Sequence, residues 1–218
     1  MINLIAHRGI DNHNFKENTI DAFLYSLGKD YINGIEMDTR LTKDKKVVIF
    51  HNPVINLKLI NQLTLKQLKK EGKKDNILIP TLEEALSKLN TTKKIIIELK
   101  IEDTKENILI KEVLKIIKKY PNLDIYLDSF DDSTVSKLNK VYKKTGLLIS
   151  KLINHNKIKN KYNFNAVSFS LYKKCPLNKE LFIWSVTKKE QYDEIKKLKS
   201  SYDINIITDF SYKLATIS

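Results

Sequence analysis

The chain contains 218 residues, of which 42% are hydrophobic and only one, Cys175, is a cysteine. That length allows one domain with a sizeable core, and a lone cysteine excludes an internal disulfide, which favours a reducing, cytoplasmic setting. No run approaches about 18 consecutive apolar residues, and the segment before His7 is too short for a secretory leader, so we expect neither a membrane span nor a signal peptide.

The formal net charge of +13 predicts attraction to anionic partners. The lysines are spread along the polar faces of predicted helices, and no basic tract is interleaved with aromatic residues, so no nucleic-acid partner is expected. Two interpretations of the charge stay open. It belongs to solvated helix faces, or it draws the protein to an anionic membrane surface.

The first predicted strand is short and ends in titratable side chains. Residues 3–6 are apolar enough to form a buried strand, and His7 and Arg8 follow it directly. A helix is then predicted from Glu17 to Gly28, because apolar residues recur between them at helical spacing and glycine commonly ends a helix.

Alternation in the next strand, residues 34–38, turns Glu36 and Asp38 to one side of the backbone. Two carboxylates so close together suit one hard cation, and they repel each other when no cation is present. A turn that begins at Thr42 leads into a short apolar strand, which delivers His51.

The rest of the chain alternates between predicted strands and helices. Three consecutive isoleucines in residues 94–100 indicate a strand buried on both faces, with Glu98 and Lys100 on one side. Further strands are predicted over residues 124–128, 147–150, 166–170, 181–186 and 204–208, and helices over residues 65–70, 107–120, 133–144 and 188–199, with another beginning at residue 80. This alternation favours a parallel α/β architecture in one domain, residues 1–218, but does not separate a barrel from a doubly wound sheet.

Several motifs occur in a fixed order and together resemble a known family. The N-terminal motifs are His7-Arg8-Gly9, Glu17-Asn18-Thr19, Glu36-x-Asp38, Thr42-x-Asp44 and the strand Val47-Val48 that leads to His51. They resemble the N-terminal signature of glycerophosphodiester phosphodiesterases, and stretches as far as Ile206-Ile207-Thr208-Asp209 extend the resemblance over nearly the whole chain. The resemblance implies a (β/α)₈ TIM barrel with a short β-hairpin after strand two and a short or missing last helix.

The resemblance also implies the parts of an active site, and the residue chemistry agrees with it. Carboxylates suit Mg²⁺ or Ca²⁺, arginine and lysine hold phosphoryl oxygens, and a pair of histidines exchanges protons near neutral pH. The implied metal ligands are Glu36, Asp38 and Glu98; the phosphate-binding residues are Arg8 and Lys100; the catalytic residues are His7 and His51; the supporting residues are Glu17, Asn18 and Asn52; and Phe130 and Trp184 line the alcohol pocket or belong to the core.

The implied reaction is metal-dependent hydrolysis of a glycerophosphodiester to glycerol 3-phosphate and an alcohol. In one assignment His51 protonates the leaving alkoxide and His7 activates the nucleophile, and the reverse assignment stays open. The nucleophile is either water or a neighbouring hydroxyl of the substrate. His13 and His155 match no motif, and we expect both at the surface.

One departure from the family pattern is Asn52, because the family usually has Asp directly after the second histidine. Asn orients an imidazole but brings no charge, so weaker activity or a lower pH optimum is expected. Two alternatives to simple hydrolysis stay open. One is a phospholipase D-like or lysophospholipase D-like activity on the same barrel, with a short excursion after His51 that leaves the mouth open to lipid. The other is a catalytically weak module that binds phosphate ligands.

Overall fold

A computed structural model describes residues 1–10, 15–101, 106–150, 161–174, 179–198 and 200–215 of the chain. His13, His155 and Cys175, which the sequence analysis discussed, lie outside the described residues. No helix in the described ranges has the length and the apolar run needed to cross a membrane.

Eight parallel strands close into a barrel. In the described part of the chain the strands are β1 (Ile2–Ala6), β2 (Gly34–Leu41), β3 (Val47–Ile49), β4 (Val54–Ile55), β5 (Lys58–Leu59), β6 (Lys94–Leu99), β7 (Asp124–Ser129), β8 (Thr145–Ile149), β9 (Phe164–Ser168), β10 (Leu181–Trp184) and β11 (Ile204–Thr208). The barrel order is β1, β2, β6, β7, β8, β9, β10, β11, and β11 pairs again with β1, so the ring of eight strands is closed. This confirms the predicted (β/α)₈ barrel.

The predicted hairpin after the second barrel strand is also confirmed. Strand β3 returns antiparallel to β2, with Thr39 opposite Ile49 and Leu41 opposite Val47. A second, smaller hairpin of β4 and β5 follows directly and pairs Val54 with Leu59. Both hairpins interrupt the strict alternation of strand and helix just before the chain enters its next barrel helix.

Helices cover the outside of the barrel. Those in the described ranges are α1 (Ile20–Leu27), α2 (Leu65–Lys74), α3 (Leu82–Leu86), α4 (Glu106–Ile117), α5 (Asp132–Leu138), α6 (Lys189–Lys196) and α7 (Ser211–Ala215). Hydroxyl side chains begin three of them: Thr19 caps α1, and Thr64 and Thr81 form capping boxes with Gln67 and Glu84. The last helix has five residues, as the prediction of a short one requires.

Several predicted helix ends differ from the structure: the helix predicted over residues 65–70 runs to Lys74, and the one predicted over residues 107–120 ends at Ile117. Two further differences have a local reason. Helix α1 begins at Ile20 rather than Glu17, because Asn18 has a left-handed backbone (φ +57°) and the Thr19 side chain accepts a hydrogen bond from the helix. Helix α5 ends at Leu138 rather than at residue 144. The chain must turn back to the sheet there, and Thr145, the first residue of β8, donates its hydroxyl to Asn139.

The core has two layers that the strands separate. Outward-facing strand residues pack against the helices, and inward-facing residues fill the barrel with rings: Phe164 and Phe182 have centroids 4.8 Å apart, and Tyr126 meets both at angles near 60°. Gly146 on β8 leaves room for this packing, because a Cβ atom there would lie 2.2 Å from the Phe164 ring. The rings fill this part of the barrel interior.

Candidate active site

The cavity lies at the carboxyl ends of the barrel strands, where active sites of this architecture are found. It encloses about 190 Å³. Its walls carry eight residues that the sequence singled out, together with four that it did not. The lining residues are His7, Arg8, Glu36, His51, Glu98, Lys100, Asp128, Phe130, Leu148, Trp184, Ser185 and Ile207. The structure therefore brings residues from six barrel strands and the hairpin to one point.

Carboxylates form the floor of the cavity because neighbouring strands place them in register. Asp38 on β2 is opposite Glu98 on β6, and Glu98 is opposite Asp128 on β7, so all three side chains leave the sheet on its inner face. Glu36 precedes Asp38 by two residues and shares its direction. All four side chains are buried.

Three of these residues fit a divalent cation. Glu36, Asp38 and Glu98 each place one carboxylate oxygen so that all three oxygens lie within 4.8 Å of one another. Buried oxygen ligands of this kind suit a hard ion such as Mg²⁺ or Ca²⁺. The three carboxylates supply oxygen ligands for a divalent metal ion, and they suit Mg²⁺ and Ca²⁺ equally.

The electrostatics of the metal-free triad show strain between like charges. Burial and the charge of Asp38 raise the pKa of Glu36 to about 7. Burial also raises the pKa of Glu98 to about 8, although Lys100 opposes the change. Asp38 goes the other way: burial would raise its pKa, but Lys100 and Arg8 hold it below the usual value. Burial and the proximity of like charges therefore favour the neutral forms of Glu36 and Glu98.

Lys100 is the buried cation of the floor. Its Nζ atom lies 3.1 Å from Oδ1 of Asp38 and 2.7 Å from Oε1 of Glu98. Burial would lower the pKa of Lys100, but the two carboxylates outweigh it and raise the value. The ammonium group is therefore charged and held at the edge of the triad.

Arg8 links the triad to the segment that precedes helix α1. Its backbone is left-handed (φ +52°), which turns its amide toward Glu36, where it donates a hydrogen bond of 2.9 Å to Oε2. The guanidinium donates to both carboxylate oxygens of Glu17, at 3.0 and 3.1 Å, and its Nε lies 3.3 Å from Asp38. Asn18 holds Asp38 from behind, with Nδ2 2.8 Å from Oδ2 and a return bond from the Asp38 amide. Glu17 and Asn18 thus contact the residues that they were expected to support.

His7 stands between the triad and the last strand. Its Nδ1 atom lies 2.7 Å from Oδ1 of Asp209, and its Nε2 atom lies 3.9 Å from Oε2 of Glu36. Burial lowers the pKa of His7, but the hydrogen bond to Asp209 and the charge of Glu36 outweigh it, so the pKa is raised above its usual value. The bond to Asp209 fixes the ring and leaves Nε2 toward the cavity.

His51 enters the cavity from the opposite side, after the β2–β3 hairpin. Arg40 holds its backbone by two bonds to the His51 carbonyl, of 2.8 and 2.6 Å. The Nδ1 atom lies 2.9 Å from Oδ1 of Asn52. Burial lowers the pKa of His51, and the nearby charge of Asp38 only partly offsets it. The two histidines therefore have pKa values shifted in opposite directions.

An aromatic wall completes the cavity. Phe130 and Trp184 meet edge to face, with centroids 5.7 Å apart and planes at 88°. The Lys100 ammonium lies 5.9 Å from the Phe130 centroid. Phe130 is partly exposed at the mouth of the cavity. Trp184 lines the cavity and also packs against the aromatic rings inside the barrel, so it belongs to both the pocket and the core.

Sequence reasoning assigned no role to two acidic residues of the site. Asp128 ends the strand predicted over residues 124–128, and Asp209 ends the Ile206-Ile207-Thr208-Asp209 motif. Neither is paired in the sequence with a second carboxylate, as Glu36 is with Asp38, so neither was predicted to bind a metal. A signal was present in their position, because each lies at the carboxyl end of a predicted barrel strand. Only the neighbouring strands reveal what they face.

Comparison with known proteins agrees with the fold and the site. A sequence model described as the Glycerophosphoryl diester phosphodiesterase family matches residues 7–211. The chain is 30% identical to a glycerophosphodiester phosphodiesterase of Caldanaerobacter subterraneus subsp. tengcongensis, and the match covers 94% of this chain and 93% of that one.

Solved structures extend the comparison. A glycerophosphodiester phosphodiesterase from Thermotoga maritima is 26% identical and superposes with a TM-score of 0.78 over 100% of this chain and 99% of that one. An Oleispira antarctica phosphodiesterase, solved with the product sn-glycerol-3-phosphate, shares the fold at 18% identity, with a TM-score of 0.81 and coverage of 98% and 95%. From the family match and the curated relative, the chain belongs to the glycerophosphoryl diester phosphodiesterase family.

Proposed function

We propose that this protein hydrolyses glycerophosphodiesters to glycerol 3-phosphate and an alcohol, in a metal-dependent reaction with His7 and His51 as the acid–base pair. The observation that carries the proposal is a carboxylate triad at a cavity that two histidines also line. The names of the relatives support the substrate class, and the phosphodiesterase solved with sn-glycerol-3-phosphate holds the corresponding product. The single cysteine supports a cytoplasmic setting.

Glu36, Asp38 and Glu98 would hold a divalent ion, which supplies neutralisation of charge on a phosphoryl oxygen. Lys100 and Arg8 line the same cavity and bind further phosphoryl oxygens. Both cations are already held by carboxylates, so they are in position before substrate arrives.

The two histidines divide the proton transfers. Each has its Nδ1 atom engaged, with Asp209 or with Asn52, so Nε2 is the nitrogen that meets the substrate. One ring accepts the proton of the nucleophile and the other donates to the leaving alkoxide. Either assignment fits the geometry. The aromatic wall of Phe130 and Trp184 packs against the carbon skeleton of the bound alcohol.

The test is release of glycerol 3-phosphate from glycerophosphocholine and glycerophosphoethanolamine, with Mg²⁺, Ca²⁺ or EDTA. We expect release that needs a metal and that is lost in His51→Ala and in Glu36→Ala. Glu83→Ala is the matched control, because Glu83 is a surface residue of α3 paired with Lys119. Wild-type protein that releases nothing with either metal would overturn the proposal for these substrates and favour a phosphate-binding module.

A second candidate, lysophospholipase D-like activity at an anionic membrane surface, is favoured by the β4–β5 hairpin. The hairpin begins three residues after His51, and the Leu57 side chain at its tip is 99% exposed. Asn56 and Leu57 both have left-handed backbones (φ +48° and +63°), a costly conformation for leucine. Asn56 and Lys58 hold the tip rigid by bonds to Glu71. A strained, exposed leucine beside a basic surface suits insertion into a lipid interface.

This candidate is tested by flotation with anionic vesicles and by turnover of lysophosphatidylcholine in them. We expect binding that falls with added salt and that is lost in Leu57→Asn. Leu78→Asn is the control, because Leu78 is also exposed but is not part of the hairpin. Equal vesicle binding by wild type and Leu57→Asn would exclude the hairpin as the lipid contact.

A further inference from the structure

Asp128 is a buried carboxyl of the cavity that the proposed chemistry does not use. It lies on β7 directly beside the metal ligand Glu98, it lines the cavity, and its side chain is 1% exposed. Its Oδ1 atom has no hydrogen-bond partner among the described residues. A buried polar atom without a partner costs free energy, so a residue of this kind in an active site points to a ligand that supplies the partner.

Neither strand beside β7 satisfies Asp128. On one side Glu98 directs its carboxylate to Lys100, at 2.7 Å. On the other side the register partner is Gly146, which has no side chain, and the Phe164 ring fills the space next to it. The Oδ1 atom of Asp128 is therefore available to a group bound in the cavity that Asp128 lines.

The position of Asp128 indicates which part of the substrate it meets. The phosphoryl group is proposed to lie over Asp38, Glu98 and Lys100, and the next strand of a sheet lies about 4.8 Å away. That spacing reaches a group about four bonds from the phosphorus atom, which is the position of a hydroxyl on the second carbon of a phosphate ester. Phe130 and Trp184 form the facing wall, where they cover carbon–hydrogen faces but offer no oxygen ligand. A small polyol, apolar on one side and hydroxylated on the other, matches both walls.

We propose that Asp128 binds a hydroxyl group close to the phosphate and thereby makes the enzyme selective for hydroxylated diesters, an inference that rests on the proposed function. A hydroxyl both donates and accepts, so it pairs with the carboxyl whichever way the proton lies. The hydroxyl belongs to the glyceryl group or to a polyol head group, and the test separates the two sources.

Binding of monophosphates isolates this contact from turnover. Calorimetric Kd values are measured with Mg²⁺ for sn-glycerol 3-phosphate, for n-propyl phosphate, which has no hydroxyl, and for myo-inositol 1-phosphate. We expect wild type to bind one of the two hydroxylated ligands at least tenfold more tightly than n-propyl phosphate. Preference for glycerol 3-phosphate assigns the hydroxyl to the glyceryl group, and preference for inositol phosphate alone assigns it to the head group.

Variants then assign the preference to Asp128. Asp128→Val and Asp128→Ala are expected to bind n-propyl phosphate as wild type does and to lose the tenfold preference, whereas Asp128→Asn, which still forms hydrogen bonds, keeps most of it. Because Val removes an unpartnered buried carboxyl, its Tm is expected to rise by about 3 °C. No preference in wild type, or a preference that survives in Val and Ala, would overturn the inference. Failure of the release assay would concern the hydrolysis and leave these Kd values interpretable.

Discussion

Lys100 and Asp38 form an ion pair, with Nζ 3.1 Å from Oδ1, where both side chains are almost completely buried. The same ammonium also contacts Glu98. Lys100 therefore serves as the internal cation of the acidic floor in the metal-free protein. A buried pair of this kind is costly to break, because the partner left behind keeps its charge without compensation.

Removal of the Lys100 ammonium is expected to destabilise the metal-free protein and to make it depend on added metal. In Lys100→Met the free energy of unfolding should fall by about 3 kcal/mol at pH 8, and millimolar Mg²⁺ or Ca²⁺ should restore part of the loss. Urea titrations with EDTA or metal measure both effects. Lys69→Met removes an exposed pair with Glu84 and should leave the midpoint unchanged. Equal stability of Lys100→Met and wild type in EDTA would contradict the role given to Lys100.

Metal binding is expected to weaken as the pH falls. Glu36 and Glu98 have pKa values of about 7 and 8 without metal, and an ion must displace their protons. At pH 8 Glu36 is mostly ionised and Glu98 about half ionised, whereas at pH 6 both are mostly protonated, so the affinity should fall by roughly two to three orders of magnitude between these pH values. Calorimetry in buffers of different ionisation enthalpy measures the Kd and the released protons.

A matched variant checks the source of these protons. Glu98→Gln carries no titratable proton at that position, so its metal affinity, although weaker, should depend less steeply on pH than that of wild type. A metal affinity that stays constant between pH 6 and pH 8 in wild type would show that the carboxyls are already ionised without the ion.

Asp209→Asn is expected to lower the pKa of His7. The hydrogen bond from His7 to the Asp209 carboxylate, at 2.7 Å, stabilises the charged ring, and Asn accepts the bond without the negative charge. Titration of the His7 ring by NMR measures the shift directly. Asp203→Asn, at the start of the loop into β11, is the control and should leave His7 unchanged. A His7 pKa that is the same in Asp209→Asn and wild type would mean that Glu36 alone raises it.

Asn52→Asp is expected to raise the pKa of His51, which burial now lowers. The Nδ1 atom of His51 already lies 2.9 Å from the Asn52 side chain, so an aspartate there adds charge without a new geometry. The limb of the pH–rate profile that His51 controls should move to higher pH, and NMR titration identifies the ring. A profile and a His51 pKa that both remain unchanged would exclude Asn52 as the residue that sets the pH optimum.

The barrel strands could be predicted from the sequence because burial on both faces leaves a plain signal. The isoleucine run predicts strand β6, and the alternation of residues predicts strand β2. In each strand the pattern also predicts which face of the sheet the carboxylate side chains occupy. Closure into a barrel does not follow from such patterns, because it depends on the pairing of β1 with β11, at opposite ends of the chain. The resemblance to a barrel family supplied what local periodicity lacked.

Long-range contacts also explain what the sequence left out of the site. Glu36 and Asp38 stand two residues apart, so their pairing is visible in the sequence, and the structure places them together. Asp128 and Asp209 meet their neighbours only across strands or across the barrel seam. The turn before helix α1 could not be predicted for a similar reason. Asn18 has a left-handed backbone there, and its side chain is bonded to Asp38, twenty residues away in the sequence.

The contact between His7 and Asp209 joins the two ends of the polypeptide across 202 positions. A ribosome therefore completes the triad and both histidines long before it supplies the carboxylate that orients His7. On the proposed function, the nascent chain would hold its phosphate-binding groups without the partner of His7 until β11 pairs with β1. Turnover would then report closure of the barrel as well as the presence of the site residues.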